Sequence, residues 1–111
     1  MAESEISLLR GTLDVLILRV LRAGERHGYG VAAALESRSG GVLRIEDGAL
    51  YQSLHRMEAR GWIDSVWGHA DNGKRAKFYR LTAEGARHLE RETENWMRYA
   101  DAVFRVLQPA W

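Results

Sequence analysis

Residues 44–82, RIEDGALYQSLHRMEARGWIDSVWGHADNGKRAKFYRLT, leave a folded chain few options. Leu50, Leu54 and Met57 fall at i, i+4 and i+7, which predicts a helix with one apolar face. Glu46 and Asp47 lie where a helix N-terminus favours negative charge, and Gly61 lies where a helix stops. Residues 62–67 and 77–81 are rich in aromatic and branched side chains and predict two strands. Asn72-Gly73 between them predicts a tight hairpin, because both residues tolerate positive φ. Lys74, Arg75, Lys77 and Arg80 follow the tip with no acidic residue among them. A helix feeding a hairpin with a cationic tip is the layout of a winged helix-turn-helix. Such a module lays its helix in the major groove of duplex DNA and its wing on the phosphates.

The flanking sequence predicts three more helices. Over residues 7–23, Leu9, Leu13, Leu16 and Val20 make one stripe, which Val15, Ile17, Leu18 and Leu21 widen. A helix apolar on so much of its surface is expected at the centre of the fold. Residues 24–28 break it, and residues 29–39 form a shorter helix with Val31, Ala34 and Leu35 inward, stopped by Gly40-Gly41. Residues 42–45 read as a brief extended piece. Thr82 reads as an N-cap with Glu84 in the first turn, opening a helix to Leu107 that would run roughly 39 Å. Leu89, Thr93, Trp96, Ala100, Val103 and Leu107 step by 4, 3, 4, 3, 4 along it, the spacing of a coiled-coil seam, and Met97 and Phe104 broaden one flank. So small a domain cannot cover both seam and flank, so a homodimer is expected, presenting two wings and two reading helices to a palindromic site. The expected fold is therefore mainly α with a small β-hairpin wing. Residues 1–81 form a winged DNA-binding domain and residues 82–111 a C-terminal dimerisation helix.

Composition narrows the function classes. The chain has 111 residues, enough for one domain with an appended element, and 46% hydrophobic residues exclude wholesale disorder. No apolar run approaches the length of a membrane span, and the opening MAESEIS has no signal-peptide character. A cytoplasmic protein without membrane partners is expected. With no cysteine, disulfides, thiol catalysis and cysteine-ligated metal are excluded. His27, His55, His69 and His88 share no metal-ligand spacing. No nucleophile–base pair, carboxylate pair or cofactor fingerprint is present, so neither an enzyme nor a cofactor is expected. The net charge of +1 excludes a strongly cationic nucleic-acid coat but not a local basic surface. Residues 1–81 carry 12 Lys/Arg against 10 Asp/Glu and residues 82–111 carry 4 against 5, so the C-terminal segment is not the part that meets phosphate.

Within the reading helix, Arg56 is the expected guanine contact, Gln52 the adenine contact, and Tyr51 or Ser53 a phosphate contact. Gly73, Lys74, Arg75 and Lys77 are the expected wing contacts, to phosphate or to the minor groove, and Tyr29 either touches a phosphate or packs. Trp62 and Trp67 read as hairpin packing, and Trp96 as packing on the seam. The competing function is a winged helix used for protein–protein assembly, which has no need of cations at the wing tip.

The segments GTLDVLILRVL (residues 11–21), HGYGVAAALE (27–36), GALYQSLHRMEARGWI (48–63) and NGKRAKFYRLTAEG (72–85) together resemble the PadR family of bacterial transcriptional regulators, in particular its small members with a single C-terminal helix. The resemblance implies a winged-helix dimer that represses a nearby gene and is relieved by a small molecule or a membrane-stress signal. It also implies a small aromatic or hydrophobic effector stacked on a tryptophan at the dimer interface, where Trp96 falls. Many members have proline after the tyrosine of the reading helix, whereas this chain has Tyr51-Gln52, so operator preference does not carry over.

Overall fold

A computed structural model describes residues 10–109. The elements run α1 (Arg10–Arg22), β1 (Arg26–His27), α2 (Gly28–Arg38), α3 (Asp47–Ala59), β2 (Ile63–His69), β3 (Arg75–Leu81) and α4 (Ala83–Leu107). The three strands form one antiparallel sheet in the order β1-β3-β2. Leu13, Ile17, Leu18, Val20 and Leu21 of α1 are buried, and α1 packs against α2, α3, α4 and β3. Val31 and Leu35 of α2, Leu50, Leu54 and Met57 of α3, Ile63 and Tyr79 of the sheet, and Leu89 of α4 close the core around it. The wide apolar surface expected of the first helix is thus used from several sides. The beginning of that predicted helix, residues 7–9, and Trp111 lie outside the described residues.

Local chemistry sets the junctions. α3 ends in a Schellman motif: Gly61 at φ +79 donates to the Glu58 carbonyl, and Trp62 donates to the Met57 carbonyl. Thr82 caps α4 by accepting from the Gly85 N–H at 3.0 Å, while its hydroxyl donates to the Gly61 carbonyl at 2.6 Å. One side chain therefore ties the start of α4 to the end of α3. The Trp62 ring stacks on His88 at 3.7 Å and carries Arg60 on it, which secures the second turn of α4.

Four expectations need correction. Only Gly73 has positive φ at the hairpin tip; Asn72 instead accepts the Lys74 N–H through its side-chain oxygen at 3.0 Å. The connection is a three-residue loop closed by Gly73 N–H to the Ala70 carbonyl and Ala70 N–H to the Lys74 carbonyl, with glycine in the left-handed position. Both wing strands consequently reach nearer the tip than predicted, so Gly68, His69, Arg75 and Ala76 are strand residues. The two-residue β1 lies inside a stretch read as a helix break, and pairs Arg26 with Tyr79 and His27 with Phe78. Leu89 is 1% exposed within the single chain, so it belongs to the domain's own core rather than to a seam between chains.

Candidate nucleic-acid interface

α3 presents Gly48, Gln52, His55 and Ala59 outward, with Tyr51 on one flank and Arg56 on the other. Its opposite side buries Leu50, Ser53, Leu54 and Met57. Ser53 is 3% exposed, so the phosphate contact expected of it is withdrawn: its hydroxyl lies inside the fold, 3.4 Å from Arg56 Nη2. Arg56 does not extend from the helix either. Its Nη2 donates to both carboxylate oxygens of Asp14 in α1, at 2.7 and 2.8 Å. The expected guanine reader is a strut between α1 and α3. His55, noted in the sequence only for lacking metal-ligand spacing, stands one turn from Gln52 on the open face. The i+3 step from Gln52 is a signal that could have found it.

Tyr51 packs across the start of α2, so closely that a methyl group on Gly28 would lie 2.6 Å from its Oη. His27 caps α2 by accepting the Gly30 N–H through Nδ1 at 2.9 Å and meets the Phe78 ring edge-on at 5.3 Å. Tyr29 beside it is exposed. These groups and the wing enclose an open cleft of about 800 Å³, lined among others by Arg26, Tyr29, Tyr51, Trp67, Lys74, Arg75 and Lys77.

The wing cations separate into two kinds. Lys77 pairs with Glu58 of α3 at 3.2 Å and lies over the Tyr79 ring, and Arg80 pairs with Asp64 across the hairpin at 2.9 Å. The Ser65 hydroxyl donates to the same Glu58 at 2.6 Å. That hydrogen bond first, and Lys77 as well, lower the Glu58 pKa below the usual carboxylate value against the opposing effect of burial. Lys77, expected at the phosphates, is thus half-buried and serves to hold the wing against α3. Lys74 and Arg75 have no carboxylate partner among the described residues, and Arg75 lies 4.4 Å above the Trp67 ring. Gly73 supplies backbone at the tip.

Along α4, Thr93, Trp96, Val103, Phe104 and Leu107 are exposed in the single chain and Ala100 is half-buried. Met97, Tyr99 and Val106 add to this uncovered apolar surface. Trp96 donates its Nε1–H to the Thr12 hydroxyl at 2.9 Å, fixing the indole against the first turn of α1. A second open cleft, about 320 Å³, lies there between Gly11, Thr12, Val15, Glu92, Asn95, Trp96 and Tyr99. Among the described residues no helix is long and apolar enough to cross a membrane.

Residues 17–91 match the model of the transcriptional regulator PadR-like family. A PadR family transcriptional regulator from Eggerthella lenta is 33% identical, with 90% of this chain and 85% of that one covered and a TM-score of 0.75. A transcriptional regulator from Clostridium thermocellum is 26% identical over 89% of this chain and 96% of its own, with a TM-score of 0.81. An uncharacterized protein from Lysinibacillus sphaericus is 28% identical over 86% of this chain and 88% of its own length. A 37.1 kDa transposon protein from Streptomyces fradiae is 35% identical, and there the chain spans only 26% of its relative. The two solved regulators share this chain's fold, four helices around a small antiparallel sheet. By the family match and the Eggerthella likeness together, this chain belongs to the PadR-like family of transcriptional regulators.

Proposed function

We propose that the chain is a homodimeric, sequence-specific DNA-binding repressor, relieved by a small molecule or stress signal. Residues 1–81 act as the DNA-binding unit and residues 82–111 as the dimerisation helix. The observation that carries the reading is the outward face of α3, with Gln52 and His55 beside a wing whose Lys74 and Arg75 are left without acidic partners among the described residues. Gln52 matches the donor–acceptor pair of an adenine edge, and His55 offers a donor or an acceptor one turn away. Tyr51, Tyr29, Lys74 and the Gly73 backbone serve the phosphates. Thr93, Trp96, Ala100, Val103, Phe104 and Leu107 meet a second copy, which would bury apolar surface that the single chain leaves in water. An effector stacked on Trp96 is supported by the family likeness and by the cleft beside it.

Selection from a random duplex pool tests the reading. The purified protein should enrich an inverted repeat with half-site centres about 10 bp apart or a multiple of that. Val103→Glu or Leu107→Glu should produce a monomer by sedimentation, because a carboxylate there must be desolvated without a partner or push the helices apart. Operator affinity should collapse in that monomer. A wild-type monomer at micromolar concentration, or no sequence enrichment, refutes the proposal; the latter outcome would favour a protein-assembly role.

A further inference from the structure

We propose that Arg75 reads the narrow minor groove flanking each half-site, and that Trp67 is the residue that positions it. The inference rests on the DNA-binding role above. In the register of the wing, Trp67 opposes Lys77, so Arg75 is its diagonal neighbour on the same face of the sheet. Diagonal pairs lie within reach of one another when one member is a large ring and the other a long chain. That face also carries Ser65, opposed to Tyr79, and Ser65 reaches Glu58 of α3. The Arg75–Trp67 pair therefore looks toward the reading helix, and it lines the same cleft as Tyr51.

Trp67 is 56% exposed, so the core gains little from it. What it does in the fold is hold a guanidinium 4.4 Å above its ring. Lys77 and Arg80, the neighbouring cations, are neutralised by Glu58 and Asp64. Lys74 keeps a free charge but has no ring beneath it. Arg75 alone on the wing combines an unneutralised charge with an aromatic platform, among the described residues.

A guanidinium is planar and weakly hydrated, so it enters a narrow groove with less desolvation than an ammonium. Stiff A·T tracts narrow the minor groove and deepen its negative potential, which attracts an inserted arginine. Holding the side chain on indole before binding removes rotamer freedom that would otherwise be lost on insertion. With α3 in the major groove, a hairpin at its flank lies over the adjoining backbone and minor groove. The result is selectivity at base pairs that α3 never touches.

The test uses the full chain and duplexes with identical selected half-sites but A·T, G·C or inosine·C flanks. Inosine removes the guanine amino group from the minor groove while leaving the major-groove edge unchanged. Wild-type protein should prefer A·T over G·C flanks roughly tenfold, with inosine·C flanks recovering most of the difference. Arg75→Lys and Trp67→Ala should each reduce that ratio to about twofold or less, and Trp67→Phe should keep most of it. Lys74→Ala should weaken all three duplexes alike and reduce the salt slope by about 0.9. Equal affinity for the three flanks with half-site preference intact overturns the inference and leaves the DNA-binding role standing. An unchanged flank ratio in Trp67→Ala removes Trp67 from the positioning role. Loss of half-site preference in the wild-type protein is a different outcome, and it overturns the DNA-binding role itself.

Discussion

Arg56→Ala should act on the stability of the fold and not on the reading of bases. The Arg56 and Asp14 side chains are 23% and 15% exposed, and the guanidinium reaches both carboxylate oxygens. Removing one member of a fully buried pair costs about 3–5 kcal/mol, because the other charge is left desolvated and alone. Water reaches this pair in part, which discounts the cost to roughly 2 kcal/mol. For a domain of this size that corresponds to a fall in Tm of about 8 °C. Asp14→Ala should cost a similar amount. Arg56→Met combined with Asp14→Leu should recover most of the loss, since two apolar side chains leave no orphaned charge. Thermal unfolding followed by circular dichroism measures the first quantity. Binding to a selected site and to random duplex, well below the lowest Tm, measures the second, and their ratio should stay within about twofold of wild type. A variant with wild-type Tm and a collapsed ratio would put the guanidinium on a base and refute the strut.

Two further outcomes follow from other contacts. Glu58 has its pKa lowered in the fold, chiefly by the Ser65 hydroxyl, so its contribution to stability is present above its ordinary pKa of 4.5 and lost as pH falls through the lower folded value. Acid titration of stability should show this loss in the wild-type protein, and Glu58→Gln should flatten the curve in that window; identical curves would dissociate Glu58 from the acid limb. At Gly85 a methyl group would lie 1.9 Å from the Trp62 carbonyl oxygen, which the Thr82 N–H already holds at 3.1 Å. Gly85→Ala should therefore lower stability by roughly 1–3 kcal/mol despite alanine's helix propensity, whereas Gly11→Ala, with open space around it, should not; equal Tm values for the two would remove the steric argument.

How much of this was legible depended on the range of the interaction. Local signals carried well: Thr82 caps α4, Gly61 ends α3, and α4 stops at Leu107, each set by chemistry within a few residues. Arg56 failed for the opposite reason. Its partner Asp14 lies 42 residues earlier, and nothing in a helical wheel of α3 tells a paired arginine from a free one. Charge drew attention to Arg56 when periodicity alone gave His55 an equal claim to the open face. Leu89 misled because it continues the 4, 3 rhythm of the seam while lying in the domain's own core. β1 was invisible because two residues carry no periodicity; β3 makes it a strand.

The way α4 is fastened has a mechanical side. Gly85 and Leu89 are its only buried residues and Trp96 is its last side chain hydrogen-bonded to α1, so the helix is fastened over its first half and projects from there. From Trp96 to Leu107 the free arm runs about 17 Å. A rigid rod of that length turns small rotations into displacement: a tilt of about 10° at its root sweeps the far end by about 3 Å. In the proposed dimer the far end is held by a second copy, so the motion runs backwards and the clamped domain swings instead. A displacement of about 3 Å approaches the ~3.4 Å between successive base pairs, enough to shift the outer face of α3 against its half-site by nearly one step. Trp96, hydrogen-bonded to Thr12 of α1, lies at the root of that arm, where a wedge between helix and domain would gain the leverage.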